Sequence, residues 1–320
     1  AGVKTIGVDI DQKKIDLIEA GKSYFSHLSS EKIAKFYKKE LLKATCDFSK
    51  VKDCDAIIIC VPTPLTKHLE PDLSCIRNTA EMIASYLKEN VMVCLESTSW
   101  PGTTEEVLQP LLEKGSGLEA GKNLHLAFSP EREDPGNHTF NTQNIPKLVG
   151  ASTEDGLQIA VALYQLCIET VIPVSGTKVA EAAKLLENIF RSVNIALINE
   201  MKVIFDKMQV DVWDVIEAAS TKPFGFMPFS PGPGLGGHCI PIDPYYLSWK
   251  AKEYGINTRF IELAGEINRS MPEWVVSKVQ DCLNMHEKSV KKSKILILGM
   301  AYKADVSDLR ESPTLKLISL

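Results

Sequence analysis

The sequence predicts an α/β protein with a doubly wound parallel sheet, followed by a helical second domain and the opening of a further α/β unit. Three observations carry that reading. Short apolar runs alternate with helix-length amphipathic stretches through the first 175 residues, as in a parallel sheet with helical crossovers. Hydroxyl, proline and carboxylate clusters follow the carboxyl ends of those runs, where open α/β sheets bind ligands. Beyond Gly176, some thirty residues lack glycine and proline and repeat Ala, Leu, Ile and Val at helical spacing, which predicts one long helix.

Lys4 to Asp9 reads as a strand, and Gln12 to Ala20 as an amphipathic helix stopped by Gly21. Asp9 stands at the strand tip, where a dinucleotide-binding fold sets an acid against ribose hydroxyls, roughly 20 residues after a glycine fingerprint. Few residues precede it, so the first strand and its G-x-G-x-x-G loop are expected upstream of Ala1. Asp55 to Val61 is a second strand running into Pro62, Thr63 and Pro64, with a helix over 76–89 behind it. Val91 to Leu95 is a third, followed by Glu96-Ser97-Thr98-Ser99-Trp100-Pro101-Gly102-Thr103-Thr104 and a helix to about Glu113. Leu124 to Phe128 is a fourth, ending in Ser129-Pro130-Glu131-Arg132-Glu133-Asp134-Pro135-Gly136. Lys147 to Gly150, a helix over 155–166, and Thr170 to Val174 complete the domain.

The long helix spans Lys178 to about Met208, a length that bridges domains or forms a dimer seam. Lys184, Asn188 and Arg191 share one stripe of it. Asn188 is a poor mid-helix residue, which points toward function. Asp211 to Ala219 is a further helix. Then comes Gly232-Pro233-Gly234-Leu235-Gly236-Gly237-His238-Cys239-Ile240-Pro241-Ile242-Asp243, whose glycines and prolines exclude regular structure and allow close approach of the backbone. It ends on a thiol, with His238 and Asp243 supplying a polar setting that favours thiolate. Helices over 245–254, 260–269 and 273–285 follow, the last two separated by Met271-Pro272. After a charged linker over 287–294, Ile295 to Gly299 reads as a buried strand, and Ser312-Pro313 as the N-cap and first residue of a helix. The domains read as 1–175, an α/β domain of dinucleotide-binding type; 176–286, a central helical domain that carries the thiol loop; and 287–320, the start of a second α/β domain.

A net charge of −5 argues against a nucleic-acid surface. No apolar run approaches a membrane span, and no signal-peptide pattern opens the sequence. Eight cysteines lie scattered without a C-x-x-C pair. That usage predicts a reduced, cytoplasmic protein with no structural metal site.

Taken together, the Asp9-Ile10-Asp11 strand end, Val61-Pro62-Thr63-Pro64, Glu96-Ser97-Thr98 with Pro101-Gly102-Thr103-Thr104, Ser129-Pro130-Glu131, Lys184 with Asn188, the Cys239 loop, Lys303-Ala304-Asp305 and Arg310-Glu311-Ser312-Pro313 resemble, in this order, the UDP-glucose/GDP-mannose dehydrogenase family. The segments Gly-Gly-His-Cys-Ile-Pro-Ile-Asp-Pro-Tyr-Tyr-Leu and Ser-Pro-Glu-Arg-Glu-Asp-Pro-Gly are most similar to the branch that oxidises UDP-N-acetylhexosamines. The resemblance implies a Rossmann-like domain and NAD-dependent, four-electron oxidation of a sugar C6 alcohol to a carboxylate. It makes Cys239 the nucleophile and sets Lys184 and Asn188 at the developing oxyanion. Asp243 and a water held with Thr98 would handle protons, and Glu131 would activate the hydrolytic water. It sets Asp9, Lys14, Val61, Thr63, Pro64, Ser97, Thr98 and Arg310 near NAD. The sugar nucleotide would meet Glu131, Arg132, Lys184, Asn188, Arg191, Phe229, Gly232, Gly234, Gly236, Tyr302 and Lys303, with Arg259 reaching across a homodimer formed through the long helix. UDP-N-acetylglucosamine and UDP-N-acetylmannosamine, one stereocentre apart, both stay open, with UDP-glucose behind them. A β-hydroxyacid-type dehydrogenase, which needs no thiol, and a non-catalytic nucleotide-sugar-binding protein are the rival readings.

Overall fold

The computed structural model describes residues 2–24, 28–134, 136–137, 139–306 and 308–320. Pro135 of the Ser-Pro-Glu segment lies outside the described residues. The chain divides into two compact units, the first formed by 1–66 and 71–184, the second by 67–70 and 185–320.

In the first unit, β1 (Thr5–Val8) pairs in parallel with β2 (Leu42–Thr45). Between them run α1 (Gln12–Glu19), N-capped by Asp11, and α2 (Ser30–Lys38), N-capped by Ser29. A five-stranded sheet runs in the order β3 (Ala56–Ile59), β4 (Val91–Leu95), β5 (Leu124–Phe128), β6 (Lys147–Ala151), β7 (Val171–Pro173). All five residues of β4 are buried, because a central parallel strand is covered on both faces. Helix α3 (Ser74–Ala84) buries Ile76, Ala80, Ile83 and Ala84, one stripe at helical spacing. Helix α5 (Glu154–Gln165) lays Ala160 and Tyr164 onto Met92, Cys94, Ala127 and Val149.

One pairing departs from the parallel expectation: β6 is antiparallel to β5, with Phe128 opposite Gly150. A parallel neighbour needs a crossover, usually a helix, and the described residues of 129–146 contain none. The chain therefore turns back beside β5, and α5 then supplies the crossover that makes β7 parallel to β6. At Gly150 the backbone meets the next segment so closely that a Cβ would stand only 2.2 Å from the Gly176 carbonyl oxygen. Between β4 and α4 (Gln109–Ser116) the chain makes a π-helical turn, Thr104–Leu108.

Helix α6 (Thr177–Met208) is the predicted long helix, and the division between the units falls inside it. The second unit continues with α7 (Val212–Ser220), α8 (Asp243–Lys252), α9 (Arg259–Met285) and α10 (Pro313–Ser319). Three expectations need correction here. Helix α9 is continuous and carries Pro272 inside it. Proline removes the N–H that would bond the Asn268 carbonyl, and that oxygen lies against Gly234, whose added Cβ would sit 3.3 Å away. Ile295 to Gly299 forms no strand, and Leu296 and Leu298 are more than four-fifths exposed. A strand needs a neighbour for its backbone groups, and no described segment pairs with it. Helix α10 does begin at Pro313, but the Ser312 hydroxyl makes no capping bond and donates instead to the Met300 carbonyl at 2.7 Å.

Candidate active site

The expected site residues are shared between the two units. In the first, Asp9 ends β1 and pairs with Lys14 at 2.9 Å, while its other oxygen accepts the Asp11 N–H. Partial burial would raise the Asp9 carboxyl, but Lys14 and the N–H groups of Asp11 and Ile10 outweigh that and hold it below its usual range. The ends of β3 and β4 are stitched by Ser97, whose hydroxyl accepts the Val61 N–H at 2.9 Å and faces the Ile59 carbonyl. Thr63 is buried, and Pro64 and Thr98 are half-buried. Next to Thr98, the Ser99 hydroxyl is buried with no hydrogen-bond partner among the described residues.

The loop after β5 presents Glu131. One of its oxygens accepts the backbone N–H groups of Arg132 and Glu133, at 2.8 and 2.7 Å. The other faces the Lys147 ammonium at 3.5 Å. Lys184, at the end of this unit's part of α6, donates to the Glu131 main-chain oxygen at 2.5 Å. Arg132 donates to the Pro146 carbonyl. The first residues of α6, Thr177 to Lys184, are also tied to the segment after β4. Glu181, fully buried, accepts from the Gly102 N–H and from both the N–H and hydroxyl of Thr104.

In the second unit, the Cys239 carbonyl accepts the N–H groups of Ile242 and Asp243, so the thiol loop turns directly into α8. Asp243 is buried, and Asn188 of α6 donates its amide to it at 2.5 Å. The Cys239 main chain, the Asp243 carboxylate and the helical amide thus belong to one hydrogen-bonded corner. Burial, with Arg310 adding to it, pushes His238 below its usual value. Arg310 is in turn raised, chiefly by its bond to Asp308, with Tyr302 and Cys239 adding to it. Arg310 itself is exposed and makes a forked bond to Asp308, with its closest contact at 2.6 Å.

The glycines of the loop are met by protein. A Cβ on Gly236 would come within 2.4 Å of the Tyr302 Cβ, and the Gly237 N–H donates to the Arg310 carbonyl. The Gly232 N–H is held by Asn199, fully buried in α6, which also donates to Asn268. Phe229 packs edge-on against Phe190 at 5.9 Å. Arg191 and Arg259 lie exposed, and Tyr302 and Lys303 are half-buried. Sequence reasoning passed over Glu181, Asn199, Asn268, Glu96 and Lys147. The signal that singled out Asn188, an asparagine inside a helix, would also have found Asn199 and Asn268.

Residues 1–168 match the NAD binding domain of the UDP-glucose/GDP-mannose dehydrogenase family, and residues 178–270 match its central domain. The chain belongs to this family. It is therefore an NAD-dependent oxidoreductase with a Rossmann-like cofactor domain. The first unit's residues fit that cofactor: an acid at a strand tip suits ribose hydroxyls, and the unpaired Ser99 hydroxyl and half-buried Thr98 offer further polar groups at the sheet's carboxyl edge. The protein CapL of Staphylococcus aureus is 38% identical over 318 residues, covering 98% of this chain and 73% of CapL. A UDP-N-acetyl-D-glucosamine 6-dehydrogenase of Pseudomonas aeruginosa is 35% identical, over 98% of this chain and 73% of the relative. Among solved structures, a UDP-D-ManNAc dehydrogenase from Pyrococcus horikoshii aligns with a TM-score of 0.92 at 33% identity, covering 99% of this chain and 75% of that one. No helix among the described residues is long and apolar enough to cross a membrane.

Proposed function

We propose that this enzyme oxidises the C6 alcohol of a UDP-N-acetylhexosamine to the uronic acid in two steps, through a covalent adduct on Cys239. NAD, when bound, supplies the hydride acceptor for both oxidations. In the first, Asp243 and a water held with Thr98 take the hydroxyl proton as hydride leaves C6. Cys239 then adds to the aldehyde carbon, forming a C–S bond, while Lys184 and Asn188 donate to the oxygen as it gains charge. Loss of a second hydride from that carbon leaves a thioester. Glu131 takes a proton from the attacking water, the C–S bond breaks, and Cys239 returns as the thiol with the sugar carboxylate released.

The observation that carries this reading is the corner in which Cys239, Asp243 and Asn188 meet. A one-step hydroxyacid dehydrogenase has no use for a thiol there. Asp9, Lys14, Val61, Thr63, Pro64, Ser97, Thr98 and Arg310 serve NAD in this proposal. Arg132, Arg191, Phe229, Gly232, Gly234, Gly236, Tyr302 and Lys303 serve the sugar nucleotide. The three-domain division at residues 175 and 286 goes with it.

We further propose a homodimer formed through α6, with Arg259 contributing to the partner's site. Support comes from Leu186, Phe190, Leu197, Ile204 and Met208, which form an exposed apolar stripe along the helix. Eight cysteines in the thiol form accord with a cytoplasmic enzyme making cell-surface polysaccharide precursors. Assaying NADH release with UDP-N-acetylglucosamine, UDP-N-acetylmannosamine, UDP-glucose and GDP-mannose tests the substrate class. Turnover of either N-acetylated sugar in preference to the other two is expected; preference for UDP-glucose or GDP-mannose would contradict it.

A further inference from the structure

Between β4, β5 and β6 the first unit holds a buried charge cluster that the proposed chemistry leaves unused. Lys147, the first residue of β6, is only 8% exposed at its side chain and sits between two carboxylates. Glu96, 12% exposed, lies 3.2 Å away and Glu131, 46% exposed, 3.5 Å away. The ammonium also donates to the Pro130 carbonyl and stands 5.0 Å over the Tyr164 ring. Glu96 is fixed from behind: the Tyr164 hydroxyl donates to it at 2.5 Å and the Cys60 thiol at 3.7 Å. Tyr164 is also 3.2 Å from the Cys94 thiol.

Every ionisable neighbour but Lys147 stays neutral or is itself an acid. Burial pushes the Cys60 and Cys94 thiols up to about 12 and raises Tyr164 as well, so none of them carries charge near neutrality. Burial would depress Lys147, but Glu96 and Glu131 more than offset it and the ammonium stays charged. The other Glu131 oxygen accepts the backbone N–H groups of Arg132 and Glu133, and Lys184 donates to its main-chain carbonyl.

We propose that Lys147 is a positioning residue for Glu131, fixing where its carboxylate points, while Glu96 and Tyr164 hold Lys147 in place. The inference rests on the reading of Glu131 as the base for thioester hydrolysis. In that step water attacks the thioester carbon, its proton passes to Glu131, the C–S bond breaks and the Cys239 sulfur leaves with the bond's electron pair. A Glu131 that is turned away cannot accept the proton, so Lys147 governs this step and neither hydride transfer.

The test follows the enzyme during turnover of UDP-N-acetylglucosamine and UDP-N-acetylmannosamine with NAD, reading the Cys239 adduct by intact-mass spectrometry together with kcat. In Lys147→Met, kcat is expected to fall about tenfold or more. The acyl adduct should accumulate as it does in Glu131→Gln, with the pre-steady-state NADH burst retained. Lys147→Arg should restore turnover and clear the adduct. If Lys147→Met fails to fold, Tyr164→Phe, which frees Glu96 to draw Lys147 away from Glu131, should accumulate the adduct likewise. The inference is overturned if the folded variant accumulates no adduct, although Glu131→Gln carries one. Absence of adduct in Glu131→Gln itself would overturn the hydrolysis reading, and the inference with it.

Discussion

Asn188 in the middle of α6 donates to the buried carboxylate of Asp243, and the Asp243 N–H in turn bonds the Cys239 carbonyl. The side chain that positions the acid thus also ties the thiol loop to the long helix. Asn188→Ala removes a charge-assisted bond from a carboxylate 2% exposed. It should cost about 1–3 kcal/mol in chemical denaturation and lower kcat by about 10²-fold or more.

Glu181 should behave as a structural residue with a pH signature. Its carboxylate accepts three bonds from Gly102 and Thr104, and removing it in Glu181→Ala strands buried donors at a cost of about 3 kcal/mol. Burial raises its pKa, with the Gly102 and Thr104 donors opposing. The folded state therefore binds this proton more tightly than the unfolded chain. The contribution is fully present below the ordinary carboxylate pKa and is lost as pH rises through the raised one. Urea unfolding between about pH 4 and about pH 7 should show a smaller decline for Glu181→Gln than for wild type.

Gly236→Ala places a methyl 2.4 Å from the Tyr302 Cβ and 3.0 Å from the Glu311 carbonyl oxygen. Neither neighbour is the end of a flexible chain, so the backbone has to shift. A loss of about 1–3 kcal/mol is expected, read as a lower urea midpoint.

Asp9→Asn keeps the shape of the β1 tip and removes the charge that pairs with Lys14. Binding of NAD should weaken, with KM for NAD rising about tenfold, as for loss of one charge-assisted bond, while kcat changes little. Steady-state kinetics at saturating sugar nucleotide checks it.

The parts of the fold that were legible are those in which local pattern and tertiary role agree. Strands β4 and β5 read as apolar runs because both faces of a central strand are covered, β3 reads as one although it lies at the sheet's edge with Ile58 exposed, and α6 reads as a long unbroken helical pattern. Helix α2 and strand β2 were missed: Leu42–Thr45 is short and partly polar, and β1 as partner makes it a strand. At Pro272 the local rule against proline lost to packing, since Gly234 lies against the carbonyl that proline frees. At Ile295–Leu298 an apolar run predicted burial that no described partner supplies. The site divides similarly. The thiol loop announces itself through its glycines, whereas Glu96, Lys147 and Tyr164 come from three separate elements and become a cluster only when β4, β6 and α5 assemble.

The most direct test of the two-step scheme counts NADH released per UDP-N-acetylhexosamine consumed, in wild type and in Cys239→Ser. Two NADH per uronic acid in wild type, with acid formation abolished in the variant, is the predicted result. An unchanged turnover with two NADH per substrate in Cys239→Ser would contradict covalent catalysis by this thiol.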